Sequence, residues 1–187
     1  MVLIEILTRS YLGEDNIITC HDRYARKFGK GFLSVISAVL SIAKKYQDVP
    51  IYIPVHPNPN VYVYIQQKLG DLDNVILLRP VKYEKFVILM KITNRGISTD
   101  CGGIQEGAPS LGIPILIMRD NTERPEGVKA GVFYLIRTKA EMIENLLRLH
   151  YLNKKYNNNR SKTSNPYGDG TAALKIKKIL LEIFNVT

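Results

Sequence analysis

The chain has 187 residues, 45% of them hydrophobic, and a formal net charge of +9. That length suits one α/β domain, and the apolar share excludes a disordered chain. No apolar run reaches the roughly 18 residues of a membrane-spanning helix, so no membrane partner is expected. Cys20 and Cys101 do not make a disulfide framework, and no metal-ligand spacing surrounds them, so a metal site is not expected either. A reducing cytoplasm is the default location for such a chain. The opening "MVLIEILTRSYLGED" lacks a basic lead and a small-residue cleavage site, and reads as structure rather than as a signal peptide.

The positive charge invites nucleic acid as a partner, but it is uneven. Residues 148–187 hold eight basic and two acidic side chains, most of the excess, with no nucleic-acid-binding motif around them. A solvated basic helix is the simpler account, and no nucleic-acid partner is expected.

The elements alternate along the chain. "NIITCH" (Asn16–His21) is a short apolar strand. Phe32, Val35, Ile36, Val39, Leu40 and Ala43 then recur at helical spacing. "IYIPV" (Ile51–Val55) is a second strand, and the "HPNPN" after it is a turn, because prolines and asparagines interrupt regular structure. A helix through Val61, Ile65 and Leu69 stops near Gly70; "NVILL" (Asn74–Leu78) is a third strand; Tyr83 to Asn94 is a helix with Phe86 on its apolar face. "GIST" is a weak fourth strand, preceded by Arg95 and Gly96 where strand residues belong. Gly102 to Leu111 makes a helical turn or two, "IPILIM" (Ile113–Met118) is a fifth strand, and "GVFYLIR" (Gly131–Arg137) a sixth. Thr138 opens a helix with Glu141 completing a capping box. Residues 153–170 are a polar loop, and 171–187 carry an amphipathic C-terminal helix. Strands alternating with helices give a mostly parallel sheet, a single Rossmann-like α/β domain over residues 1–187.

Ligands of such sheets bind beyond the carboxyl ends of the strands, which directs attention to His21, His56, the stretch from Val81 to Phe86, "CGG" and "RDNTERPE". Gly102 and Gly103 open a helix whose free N–H groups and dipole favour an anion, although a glycine pair also serves tight turns. His21 could hold a phosphate or carry a proton, or equally cap a helix. His56 in its proline-bounded loop reads as structural, and Phe86 reads as core. The charges of "RDNTERPE" (Arg119, Asp120, Glu123, Arg124, Glu126) suit either a solvated loop or a site.

Four longer stretches bear on function: "YIPVHPNPNV", "LLRPVKYEKFVILM", "TDCGGIQEGAPSLGIPILIMRDNTERPEGVKAG" and "NPYGDGTA". In type and order they resemble the non-hydrolysing UDP-N-acetylglucosamine 2-epimerases, from about Ile18 to the end of the chain. The resemblance implies the two-domain glycosyltransferase-B-type architecture, of which this chain matches the C-terminal, nucleotide-binding half. The expectation is that the N-terminal domain is absent, since 187 residues leave no room for it.

The resemblance also assigns roles. His21 matches a proposed catalytic histidine. Val81, through its backbone, and Phe86 match the uracil pocket; Cys101, Gly102 and Gly103 match the diphosphate turn; Glu106 and Arg124 fall in the substrate site. The ligand would be UDP or a UDP-N-acetylhexosamine. The implied chemistry removes the proton on sugar carbon 2, expels UDP to leave a glycal, and re-adds UDP after protonation from the other face. It needs no cofactor, and its acid–base carboxylates come mainly from the N-terminal domain.

Three departures stand out. Cys101 replaces a serine, and a thiol is a poor donor. Gly107 replaces the glutamate that would hold the ribose hydroxyls, a loss on the order of 1.5–3 kcal/mol, or roughly 10- to 150-fold in affinity. Asp22 replaces an arginine beside the anion site, which weighs against a second, regulatory UDP-sugar at His56. The readings that follow are an epimerase half completed by a separately encoded N-terminal domain, or a catalytically inactive UDP-binding fragment or remnant; a homodimer is compatible with either.

Overall fold

The computed structural model describes residues 17–20, 29–91, 97–99, 101–113, 115–119, 121–136 and 165–184. His21, Asp22 and the helix expected from Thr138 lie outside them. Six strands, β1 (Ile17–Cys20), β2 (Ile51–Pro54), β3 (Val75–Leu78), β4 (Ile97–Thr99), β5 (Ile115–Ile117) and β6 (Phe133–Leu135), form one sheet in the order β3-β2-β1-β4-β5-β6. Every pairing is parallel; Cys20 faces Thr99 across β1 and β4, and Thr99 faces Ile117 across β4 and β5. The chain winds outward from β1 to β3 and returns to the other side of β1 with β4. The strand order therefore reverses between β1 and β4, the kind of place where ligands of open parallel sheets bind, beyond the carboxyl ends. The weak fourth strand is in place, though only three residues long.

Alternation along the strands divides the core in two. Ile51, Ile53 and Val55, with Leu116 and Met118, pack under α1 (Lys30–Lys45) and α2 (Pro59–Leu69). Tyr52, Ile115 and Ile117 face the other way, under α3 (Tyr83–Lys91) and α4 (Gly102–Gly107). Covering a sheet on both faces is what continuous apolar strands require. Asn74 ties α1 to the start of β3: its Nδ2 lies 2.9–3.2 Å from the carbonyls of Ala43, Tyr46 and Val49.

Two local expectations need correction, and a third gains detail. The turn "HPNPN" is half helix: α2 starts at Pro59, the position where proline's missing N–H is harmless, and Asn58 caps it by accepting from the Asn60 N–H at 3.1 Å. The helix from Gly102 to Leu111 changes at Ala108 into a 3-10 turn, Ala108–Leu111, closed by Gly112 at φ 68°. Where "RDNTERPE" suited a solvated loop or a site, its last two residues open a short helix, α5 (Pro125–Lys129), again with proline at its start.

The polar stretch after residue 153 also does more than link. Asn165 Nδ2 donates to Ser110 Oγ at 2.8 Å, and Tyr167 stacks on Phe133 with ring centroids 6.0 Å apart. Beyond it, α6 (Ala172–Phe184) buries none of its residues, and Leu174, Ile176, Ile183 and Phe184 are more than half exposed.

Candidate functional site

The site grows from the end of β4. Thr99 is fully buried, and its Oγ1 accepts from the Cys101 N–H at 2.9 Å. That bond sets Cys101 at the start of α4 in extended conformation, with no side-chain cap on the helix. The first N–H groups of α4 therefore face outward with no partner within the helix. Gly102 and Gly103 follow. Neither has a positive φ, and a Cβ at either would meet no described atom within 4 Å. Among the described residues, neither backbone conformation nor packing calls for glycine here, so what the glycines provide is open space. Gly127 is the opposite case: a Cβ there would come within 2.2 Å of the Phe133 ring, and packing alone demands glycine.

Beside the glycine turn lies a cavity of about 340 Å³, within the size range of small-ligand sites. Its walls come from the ends of three strands. Pro54 ends β2 and Val55 to Pro57 follow it; Pro80 and Val81, then Tyr83, Phe86 and Met90 of α3, follow β3; Cys101, Gly103 and Ile104 follow β4. The walls are mostly apolar, and polar atoms enter from His56, Tyr83 and Cys101. His56 Nδ1 accepts from the Asn58 N–H at 3.1 Å, which fixes the loop that forms one wall.

Arg124 stands outside this lining, just before α5. Its Nε donates to Glu106 Oε1 at 2.9 Å, and Nη2 contacts the same oxygen. The carboxylate raises the guanidinium pKa further, so the charge is permanent. The backbone N–H of Arg124 donates to Thr122 Oγ1 at 3.1 Å, and Thr122 in turn donates to Gln105 Oε1 at 3.2 Å. Nearby, burial and then Glu126 push the Tyr167 phenol up to about 12, so it stays neutral.

Of the residues expected from sequence, Val81, Phe86, Cys101 and Gly103 line one cavity, with Gly102 next to it. Phe86 serves both readings, packed in the core at 9% exposure and exposed to the cavity at its edge. Glu106 and Arg124 come together as an ion pair. His21 lies outside the described residues. Gln105 escaped sequence reasoning, and Tyr83 and Thr122 were covered only as members of the stretch from Val81 to Phe86 and of "RDNTERPE". Tyr83 left a faint signal as a polar residue opening an apolar helix; Gln105 left another as a polar residue between Ile104 and Ala108, both buried. Among the described residues no cluster of His, Cys, Asp and Glu could hold a metal, and no helix is long and apolar enough to cross a membrane.

Comparison with known proteins gives the lineage. The family model described as UDP-N-acetylglucosamine 2-epimerase matches residues 5–181. The chain belongs to that family. It is 45% identical over 167 residues to the UDP-N-acetylglucosamine 2-epimerase of Campylobacter jejuni, and 46% identical over 165 residues to that of Escherichia coli K12. Those alignments take in 89% and 88% of this chain but 43% of each relative. The chain thus spans less than half the length of these epimerases and aligns with their C-terminal half.

Solved epimerases agree. The Staphylococcus aureus MnaA–UDP structure superposes with a TM-score of 0.87 at 32% identity, over 97% of this chain and 49% of that one. The Neisseria meningitidis UDP-GlcNAc 2-epimerase bound to UDP-GlcNAc gives 0.82 at 35% identity, over 97% and 52%. WaaG, a glycosyltransferase of lipopolysaccharide biosynthesis, shares the fold at a TM-score of 0.66 and 15% identity. The architecture is therefore one half of the glycosyltransferase-B-type pair, as the sequence resemblance implied.

Proposed function

We propose that this chain supplies the UDP-binding half of a non-hydrolysing UDP-N-acetylglucosamine 2-epimerase, a Rossmann-like domain that works with an N-terminal epimerase half. The observation that carries the reading is the open space in front of Gly102 and Gly103, at the mouth of the apolar cavity. Outward N–H groups and a helix N-terminus favour a diphosphate at the glycines. The cavity beside them takes the uracil, with the Phe86 ring and the Val81 backbone as its contacts. Arg124 supplies a fixed positive charge for the substrate. Two of the solved relatives bind UDP or UDP-GlcNAc, which supports the same ligand class here.

In the proposed reaction UDP leaves with the electrons of the anomeric C–O bond while the proton on sugar carbon 2 is removed. Holding the departing diphosphate stabilises the charge that develops on it. His21 is the catalytic group this half contributes; the carboxylates that move the sugar proton belong to the partner domain. The test is twofold. Calorimetry with UDP should give saturable heat, and addition of an N-terminal epimerase half should yield UDP-ManNAc from UDP-GlcNAc. No heat at millimolar UDP would sink the nucleotide site. Heat without turnover beside a folded partner domain would leave a binding module, the reading that Gly107 favours by lacking a carboxylate.

A further inference from the structure

We infer that Gln105 is a positioning residue for Arg124, acting through Thr122. The structure brings three residues from two segments into one directed chain. The Arg124 N–H donates to Thr122 Oγ1, and that hydroxyl donates to Gln105 Oε1. Next along α4, Glu106 accepts from the Arg124 guanidinium. Consecutive residues of one short helix therefore grip Arg124 twice, Gln105 by the backbone and Glu106 by the side chain. That helix begins with Gly102 and Gly103, so the grip fixes the arginine's charge relative to the glycine turn.

Packing alone does not account for the amide. Gln105 is 1% exposed, and its Nε2 has no hydrogen-bond partner among the described residues. A buried donor left unmatched is unfavourable. Methionine would fill the same space without stranding one. What methionine cannot do is accept the Thr122 hydroxyl, and the amide oxygen does that. Thr122 is only half-buried and stands in a segment without regular structure, so this bond is what orders the approach to Arg124.

The inference deepens the proposed UDP site, and its test separates the two. In the full chain, Gln105→Met and Thr122→Val should weaken UDP binding about 3- to 10-fold, the loss of one ordinary hydrogen bond. Thr122→Ser, which keeps the hydroxyl, should bind as the wild type does. With Arg124→Ala already present, Gln105→Met and Thr122→Val should add no further loss, because their effect runs through the arginine. An equal loss in that background, or none from Thr122→Val alone, overturns the inference. If Gln105→Met fails to fold, Thr122→Val at its half-buried position carries the same test.

If the wild type binds no UDP, the UDP reading fails on its own, and nitrogen-15 NMR of the free chain decides the positioning role. The Arg124 Nε–Hε resonance, identified by its loss in Arg124→Ala, should stand apart from bulk arginine in the wild type and in Thr122→Ser. It should shift toward bulk arginine in Thr122→Val and Gln105→Met, with Glu106 still in place. A resonance that keeps its position in those two variants overturns the role.

Discussion

The two sides of α4 are built on opposite plans. Toward the cavity, Ile104, Phe86 and Met90 form apolar walls around unfilled volume, and polar side chains are few: His56, Tyr83 and Cys101. Toward Arg124, nearly every polar group is tied: guanidinium to Glu106, backbone to Thr122, hydroxyl to Gln105. The apolar side suits a flat, uncharged group, which gains mainly by leaving water. The cross-linked side suits a charged group, because a charge acts best when its position is fixed before the ligand arrives. A nucleoside diphosphate, the ligand proposed above, has one part of each kind: α3 and α4 together offer the apolar wall, and α4 with the segment before α5 offers the charged one.

Substitutions in the glycines around α4 can break this contrast. The largest effect is expected from Gly107→Glu. A Cβ at 107 would sit 3.6 Å from the Tyr83 hydroxyl, ordinary contact distance, so the branch point of a side chain is tolerated there. A carboxylate there should strengthen UDP binding roughly 10- to 150-fold if it recovers a charged hydrogen bond; unchanged affinity in calorimetry would mean that the ribose does not lie at this edge. Next comes Gly127→Ala. With the Phe133 ring 2.2 Å from the new carbon, stability should fall by about 1–3 kcal/mol, as overpacked sites do, read as a shift in the urea midpoint.

Gly103→Ala should do the reverse on a smaller scale. The space is open, and alanine favours helix, so stability should rise by about 0.5–1 kcal/mol while UDP affinity drops. A thermal melt and a UDP titration of the same sample check both. A gain in stability with affinity intact would mean that nothing occupies the space in front of the turn.

The smallest effect concerns Asp169, which accepts from Thr171 and faces Lys175 at 3.3 Å. These partners, Thr171 first, hold its carboxyl down at about 2. Because the folded-state value is depressed, the stabilisation is full above the ordinary value of 3.8 and is lost as pH falls through about 2. Carbon-13 NMR of the Asp169 carboxyl should show that midpoint. A midpoint near 3.8 would mean that the Thr171 contacts do not persist in solution.

The sheet was largely legible in the sequence, because buried parallel strands advertise themselves: "NVILL" and "IPILIM" have no polar interruption. The "CGG" turn was legible for a related reason, as glycines directly after a strand limit the local geometry. Proline misled once: at Pro59 it was read as a breaker within a turn, yet the same fixed φ that ends a helix also begins one, as it does again at Pro125. The polar grip on Arg124 was not legible at all. Thr122 and Gln105 are 17 residues apart and Arg124 and Glu106 are 18 apart, and no periodicity joins a helix to a segment beyond the next strand.

The C-terminal helix supplies one more measurable consequence. A helix of 13 residues sits near the length at which helices in water are marginal, and none of the α6 residues is buried. Among the described residues, its backbone amides are protected mainly by its own turns, with the Asp169 contacts at its start. In deuterium exchange it should lose its protons long before the amides of β5 and β6, and a protease supplied in small amounts should find its first cleavage sites there.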